Sequence, residues 1–127
     1  MTANSLASVS LHPPLVSVCV EKHADMHPVL GGATRYVLNV LRQDQEELSR
    51  RFATHPLEQR LHGIPYRETE DGLIVLEGTL AHIECQRYAD FPLGDHTLFV
   101  GRVSGGKFEE GLPLLYYRGG YGSLKQA

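Results

Sequence analysis

The chain has 127 residues, 42% of them hydrophobic, and 15 acidic against 12 basic side chains give a formal charge of −3. That length suits a single domain with a packed core and excludes a disordered chain. A slightly acidic balance without a basic stripe also excludes a nucleic-acid surface.

The uncharged run from Met1 to Val20 is broken by serines and by Pro13-Pro14. It is therefore neither a membrane span nor a secretion signal with a basic start and an unbroken apolar stretch. Cys19 and Cys85 lie far apart, without metal-ligand spacing. With no export signal, reduced thiols in a cytoplasmic protein are expected, each packed in an apolar stretch.

Thirteen glycines and seven prolines cut the chain into short pieces, a pattern that favours strands over a helix bundle. Residues 5–11 alternate small polar and apolar side chains up to the His12-Pro13-Pro14 break. Residues 15–20 form a second strand, with Leu15, Ser17 and Cys19 on one face and three valines on the other. Such a strand suits a core on its valine side and a ligand on its small-residue side. His23 and His27 have helical spacing, but no further ligand completes a metal site, and none is expected.

A short helical turn follows Pro28 and closes at Gly31-Gly32, and residues 36–41 read as a third strand. Residues 44–53 are the best helix: Leu48 and Phe52 lie four apart, acids lead and arginines follow, which complements the helix dipole. Beyond Gly63, residues 74–76, 79–88, 97–103 and 113–117 read as strands separated by glycine-containing turns. The expected architecture is a mostly β barrel with one main helix.

Several groups could carry chemistry. Thr2, Ala3, Asn4 and Ser5, followed by Ser8 and Ser10, bring together small hydroxyl and amide groups. Such groups can hydrogen-bond a phosphate without steric bulk, or simply form a polar N-terminal edge. Lys22 and His23 either add positive charge to the same phosphate or form an exposed turn. His96, between Asp95 and a strand, is either a donor, acid or base toward a substrate or a strand-edge histidine without a task. The tail from Leu114 to Tyr121 joins aromatics to the Arg118 guanidinium, which can stack on a flat ring, meet a phosphate or merely close the barrel. No nucleophile elbow, phosphate-binding loop or dinucleotide fingerprint occurs, so hydrolase and nucleoside-triphosphatase readings have no support.

Taken in order, these segments resemble the flavin reductase family with its FMN-binding split-barrel fold. The carriers are the run from Met1 to Val16 and Gly94-Asp95-His96-Thr97-Leu98-Phe99-Val100-Gly101, followed by Pro113 to Arg118. Asn39-Val40-Leu41, Gln45 and Arg51-Phe52-Ala53 fall between them in the family's order, so the likeness covers essentially the whole chain.

The resemblance implies a homodimer that uses NADH or NADPH to reduce FMN or FAD, with reduced flavin passed to a separate monooxygenase. It places Thr2, Ala3, Asn4 and Ser5 along the flavin, with Ser8 and Ser10 on the adjoining strand. Ser17, Cys19, Lys22 and His23 would reach the ring edge or phosphate, and Phe52 and Ala53 would close over the flavin. His96, Tyr121 and Arg118 would meet the nicotinamide nucleotide, His96 as an orienting donor rather than an obligatory acid. Direct hydride transfer between stacked rings asks the protein mainly for alignment and exclusion of water. Backbone N–H groups at the pyrimidine edge would stabilise the charge of the reduced flavin.

Two departures shape these expectations. Family members carry a further strand pair and short helix ahead of the Thr2–Ser5 segment, whereas this chain starts at Met1, so an unpaired edge and an apolar face are expected. Gly120 stands where relatives often place a basic residue, so neither nicotinamide nucleotide is favoured. The alternatives are a flavin-binding module without reductase activity and a flavin-free interaction domain.

Overall fold

The computed structural model describes residues 1–125. Its elements run β1 (Ala7–Leu11), β2 (Pro14–Glu21), α1 (Met26–Gly32), β3 (Arg35–Val40), α2 (Glu46–Thr54) and a 3-10 turn at Leu57–Gln59. They continue with β4 (Tyr66–Glu68), β5 (Ile74–Leu76), β6 (Ala81–Leu93), β7 (His96–Phe108), β8 (Leu115–Tyr117) and β9 (Gly120–Gly122). The protein is mostly β, with one main and one short helix, as the sequence predicts. A five-stranded sheet in the order β1-β2-β7-β6-β3 accompanies two hairpins, β4-β5 and β8-β9. The sheet order is open, with β1 and β3 at its ends.

The chain divides into two compact units. One holds Met1, Ala3–Tyr36 and Glu84–Gly105; the other holds Thr2, Val37–Ile83 and the described residues from Gly106 onward. The backbone passes between them within β3, β6 and β7.

In the first unit, β2 lies between β1 and β7, and its register sorts the side chains by face. Val16, Val18 and Val20 pair with Gly101, Phe99 and Thr97, while Ser17, Cys19 and Glu21 pair with Val100, Leu98 and His96. The first set is the core: Val18, Val20 and Phe99 are buried. Helix α1 reaches this set through His27, whose Nε2 is 2.8 Å from Thr97 Oγ1 and whose ring stands edge-on to Phe99 at 5.6 Å. Gly101 leaves room for Tyr36, because a Cβ there would lie 2.5 Å from the Tyr36 hydroxyl and 2.9 Å from Cys85 Cβ. Burial pushes the Tyr36 phenol up to about 12 and the Cys85 thiol up to about 11. At one end of the sheet, β1 exposes Val9 and Leu11, the latter by 82%.

In the second unit, Glu46 and Glu47 open α2 and Arg51 lies in its last turn, the charge order that suits the helix dipole. The Arg51 guanidinium donates to the carbonyls of Gln59, Arg60 and His62 and so fastens the loop after the helix. Asn39 substitutes for a strand pairing: its amide donates to Ile74 O at 3.3 Å and its Oδ1 accepts from Leu76 N at 3.0 Å. Arg118, with φ 52°, and Gly119, with φ 78°, form the two-residue turn of the β8-β9 hairpin.

Candidate functional site

The predicted site residues fall into two groups, one in each unit. In the first, β1 and β2 are joined antiparallel with a register irregularity between Ser8 and Ser10. Ser8 is opposite Val16, whereas Ser10 is opposite Leu15. The irregularity therefore turns Ser10 onto the face that carries Ser17, Cys19 and His96, and leaves Ser8 with the valines.

Ser5 extends that face. Its hydroxyl donates to Cys19 O at 3.1 Å and accepts from Cys19 N at 3.0 Å, pinning the N-terminal segment to β2. With its proton committed, the Ser5 hydroxyl can meet a ligand only as an acceptor. Ser17 is 7% exposed because Ala7 and Val100 flank it on the neighbouring strands. Cys19 and Ser10 are half-buried, and Ala3, Asn4, Ser8, Lys22 and His23 are exposed. On this face Leu15 and Ser17 are buried, while Ser10, Cys19 and His96 keep exposed surface.

The two thiols differ accordingly. Cys85 is fully buried and its thiolate is disfavoured in the folded state, whereas Cys19 is half-buried. At mildly alkaline pH a thiol reagent is expected to label one cysteine per native chain and the second only in denaturant, with labelling counted by mass spectrometry. Slower Cys19 labelling with added FMN would place the flavin on its face. Equal native reactivity of both cysteines would contradict the packing around Cys85.

At the end of this face, Lys22 N donates to Asp95 O at 2.8 Å and fixes the turn that carries His96. His96 Nδ1 donates to Asp95 Oδ1 at 2.7 Å. This bond, the imidazole charge and the nearby Lys22 ammonium hold the Asp95 carboxyl below the usual carboxylate range. With Nδ1 committed, Nε2 is the ring nitrogen left for a ligand.

The second group gathers around α2. Tyr121 is half-exposed, and its hydroxyl lies 2.9 Å from the hydroxyl of Ser49. The Arg50 guanidinium sits 4.8 Å from the centre of the Tyr121 ring, and Tyr116 meets that ring edge-on at 5.1 Å. Glu46 holds Arg50 from the previous helical turn at 2.9 Å, which raises the pKa of Arg50. Thr2 Oγ1 donates to Ser49 O at 2.5 Å. Phe52 is half-buried and Ala53 exposed, both within one turn of Ser49. Arg118 is exposed at the tip of the β8-β9 hairpin.

Ser49 and Arg50 were not legible as site residues, whereas Tyr116 lies in the aromatic tail that the sequence singled out. The Leu48–Phe52 spacing points the apolar face of α2 elsewhere, yet Ser49 is its buried residue, at 3% exposed. The available signal was its spacing, three and four residues ahead of Phe52 and Ala53.

Residues 1–125 match the family described as the flavin reductase like domain. The chain belongs to that family.

An FMN reductase (NADH) of Agrobacterium fabrum is 39% identical over 126 residues, covering 99% of this chain and 71% of the relative. The reductase component of a 4-hydroxyphenylacetate 3-monooxygenase from Thermus thermophilus is 40% identical over 125 residues, covering 98% of this chain and 78% of the relative. Among solved structures, the NADH:FAD oxidoreductase of Streptomyces globisporus, in complex with NAD and FAD fragments, superposes with a TM-score of 0.89 at 34% identity. That match covers 97% of this chain and 75% of the other. The flavin reductase fold expected from the ordered motifs is therefore established. Among the described residues no helix is long and apolar enough to cross a membrane.

Proposed function

We propose that this flavin reductase-like chain works as one domain that binds FMN or FAD and oxidises NADH or NADPH, supplying reduced flavin to a separate monooxygenase component. The family match running through both units carries the reading. The relatives named as FMN reductase and as a monooxygenase's reductase component support its two halves.

The donor chemistry of the first unit fits a flavin. Small side chains at Ala3, Ser10 and Cys19 let a flat ring approach the sheet, and the Asn4 amide offers a donor and an acceptor to polar ring edges. Lys22 and His23, exposed beyond β2, supply positive charge for a phosphate. On the family likeness, Phe52 and Ala53 in the second unit are assigned to the flavin, and His96 in the first unit and Tyr121 and Arg118 in the second to the nicotinamide nucleotide. When bound, the flavin supplies the acceptor for the nicotinamide hydride; the chain's part is to align the rings and keep solvent out.

A homodimer in the cytoplasm completes the reading. Leu11, Phe108 and Tyr117 are each more than three-quarters exposed, at 82%, 79% and 76%, which is apolar surface that a second copy would cover.

The test is to titrate FMN and FAD with the purified chain, follow quenching of flavin fluorescence, and then assay oxidation of NADH and NADPH. Saturable quenching with flavin-dependent nucleotide oxidation is the expected result. Quenching without oxidation would leave a flavin-binding module, and no quenching by folded protein would overturn the proposal.

A further inference from the structure

We propose that Ser49 is a positioning residue for the nicotinamide nucleotide, acting by fixing the ring of Tyr121; the inference rests on the reductase reading above. Tyr121 belongs to the β8-β9 hairpin, where it pairs with Tyr116. Gly119, Gly120 and Gly122 surround it, and glycine leaves the backbone permissive. The ring is then held by contacts of the side chain itself, one from Tyr116 of the same hairpin and two from α2. Ser49 holds the hydroxyl at 2.9 Å, Arg50 lies over the ring at 4.8 Å, and Tyr116 meets it edge-on at an interplanar angle of 69°.

Of the three, the Ser49 contact is the most constrained. Tyr116 and Arg50 are exposed, whereas Ser49 is nearly buried, and a buried hydroxyl keeps its partner because leaving it unsatisfied is costly. The hydroxyl pair thus sets where the Tyr121 ring stands relative to α2, while the ring stays half-exposed toward a ligand.

Ser49 also accepts from Thr2 through its main-chain carbonyl. One helical residue therefore touches both a residue assigned to the flavin and one assigned to the nicotinamide, by separate groups. Substitution by alanine deletes the hydroxyl and keeps the carbonyl, so the two roles separate in one variant.

The experiment compares Ser49→Ala, Tyr121→Phe and the double variant with the wild type. Steady-state kinetics in the nucleotide, flavin binding by fluorescence and thermal melts are measured for each. Loss of one hydrogen bond is expected to raise KM for the nucleotide about fivefold in each single variant, with kcat and flavin affinity changed less than about twofold. The double variant is expected to match the singles rather than multiply them, because both remove the same bond. A general structural weakening would instead change flavin affinity and kcat as well.

The proposal is overturned if KM is unchanged in either single variant, or if the two effects multiply. If Ser49→Ala does not fold, Tyr121→Phe, which keeps the ring and its contacts, decides on KM alone. A wild type that oxidises neither nucleotide overturns the reductase reading and this inference with it. An active wild type with insensitive variants overturns the inference only.

Discussion

Replacing Gly106 with alanine is expected to destabilise the fold by about 3 kcal/mol or more, lowering the melting temperature by about 10 °C. Gly106 lies in β7 with φ +148°, a backbone conformation that L side chains rarely adopt. A Cβ there would come within 2.3 Å of the His82 carbonyl oxygen and 3.3 Å of Ile83 Cα. Both are backbone atoms of β6, the neighbouring strand, so relief requires the sheet itself to shift. Gly111 is the instructive contrast. Its φ of +151° is also strained, but its Cβ would meet the end of the Arg42 side chain at 2.8 Å, and a guanidinium can swing away. Gly111→Ala should therefore be milder. Gly31 in α1 would meet nothing within 4 Å and has no positive φ, so Gly31→Ala serves as the neutral control. Thermal and denaturant unfolding of the three variants measure the order, and a Gly106→Ala protein that melts like the control would contradict this packing.

The same glycine shows why the sequence could be read only in part. Alternation made β2 visible, and its faces came out as expected because a strand's period follows directly from backbone geometry. Residues 74–76 were bounded correctly, since a short apolar run between turn residues has few other uses. By contrast, the strands predicted at 79–88 and 97–103 extend to Ala81–Leu93 and Lys107-Phe108 respectively. Gly105-Gly106 reads locally as a turn, but pairing with β6 carries the strand through it. β4 and β9, of three residues each, hold no periodic signal and exist because a hairpin partner supplies the other half of their bonds. The helix begins at Glu46 rather than at residue 44, because Gln45 Oε1 accepts from Arg42 N at 2.8 Å and holds the preceding turn.

For the candidate site, chemical type was legible and commitment was not. Ser5 and Ser17 read from sequence as equivalent hydroxyls, yet the first is bonded at both donor and acceptor to Cys19 and the second is covered by its neighbours. Whether a hydroxyl is available depends on partners brought in from distant parts of the chain, such as Cys19, fourteen residues from Ser5. Ser49 is the converse case: a helical serine that looks solvent-facing becomes buried because Thr2 and Tyr121, 47 and 72 residues away, both close on it.

His96→Ala is expected to raise KM for the nicotinamide nucleotide about tenfold or more, with a smaller loss in kcat at saturating nucleotide. The expectation follows the proposed orienting role, in which His96 binds the nucleotide and transfers no proton. Nδ1 is spent on Asp95 at 2.7 Å, leaving Nε2 as a single directed group on a half-exposed ring, and hydride transfer between stacked rings requires no proton from a side chain. Asp95 sets the tautomer and orientation of the ring. Its carboxyl is held below the usual range by the His96 bond, so any stabilisation it adds is present above the ordinary carboxylate pKa and lost only as pH falls through the lowered one. Over roughly pH 6–9 the carboxylate therefore stays ionised, and wild-type KM should show no step from Asp95 in that interval. Asp95→Asn keeps an oxygen acceptor for Nδ1 and should change KM by less than His96→Ala does. Stopped-flow measurement of flavin reduction against nucleotide concentration separates binding from transfer for all three proteins. A His96→Ala enzyme that binds nucleotide normally but transfers hydride far more slowly would assign His96 to the chemical step and reject the orienting role.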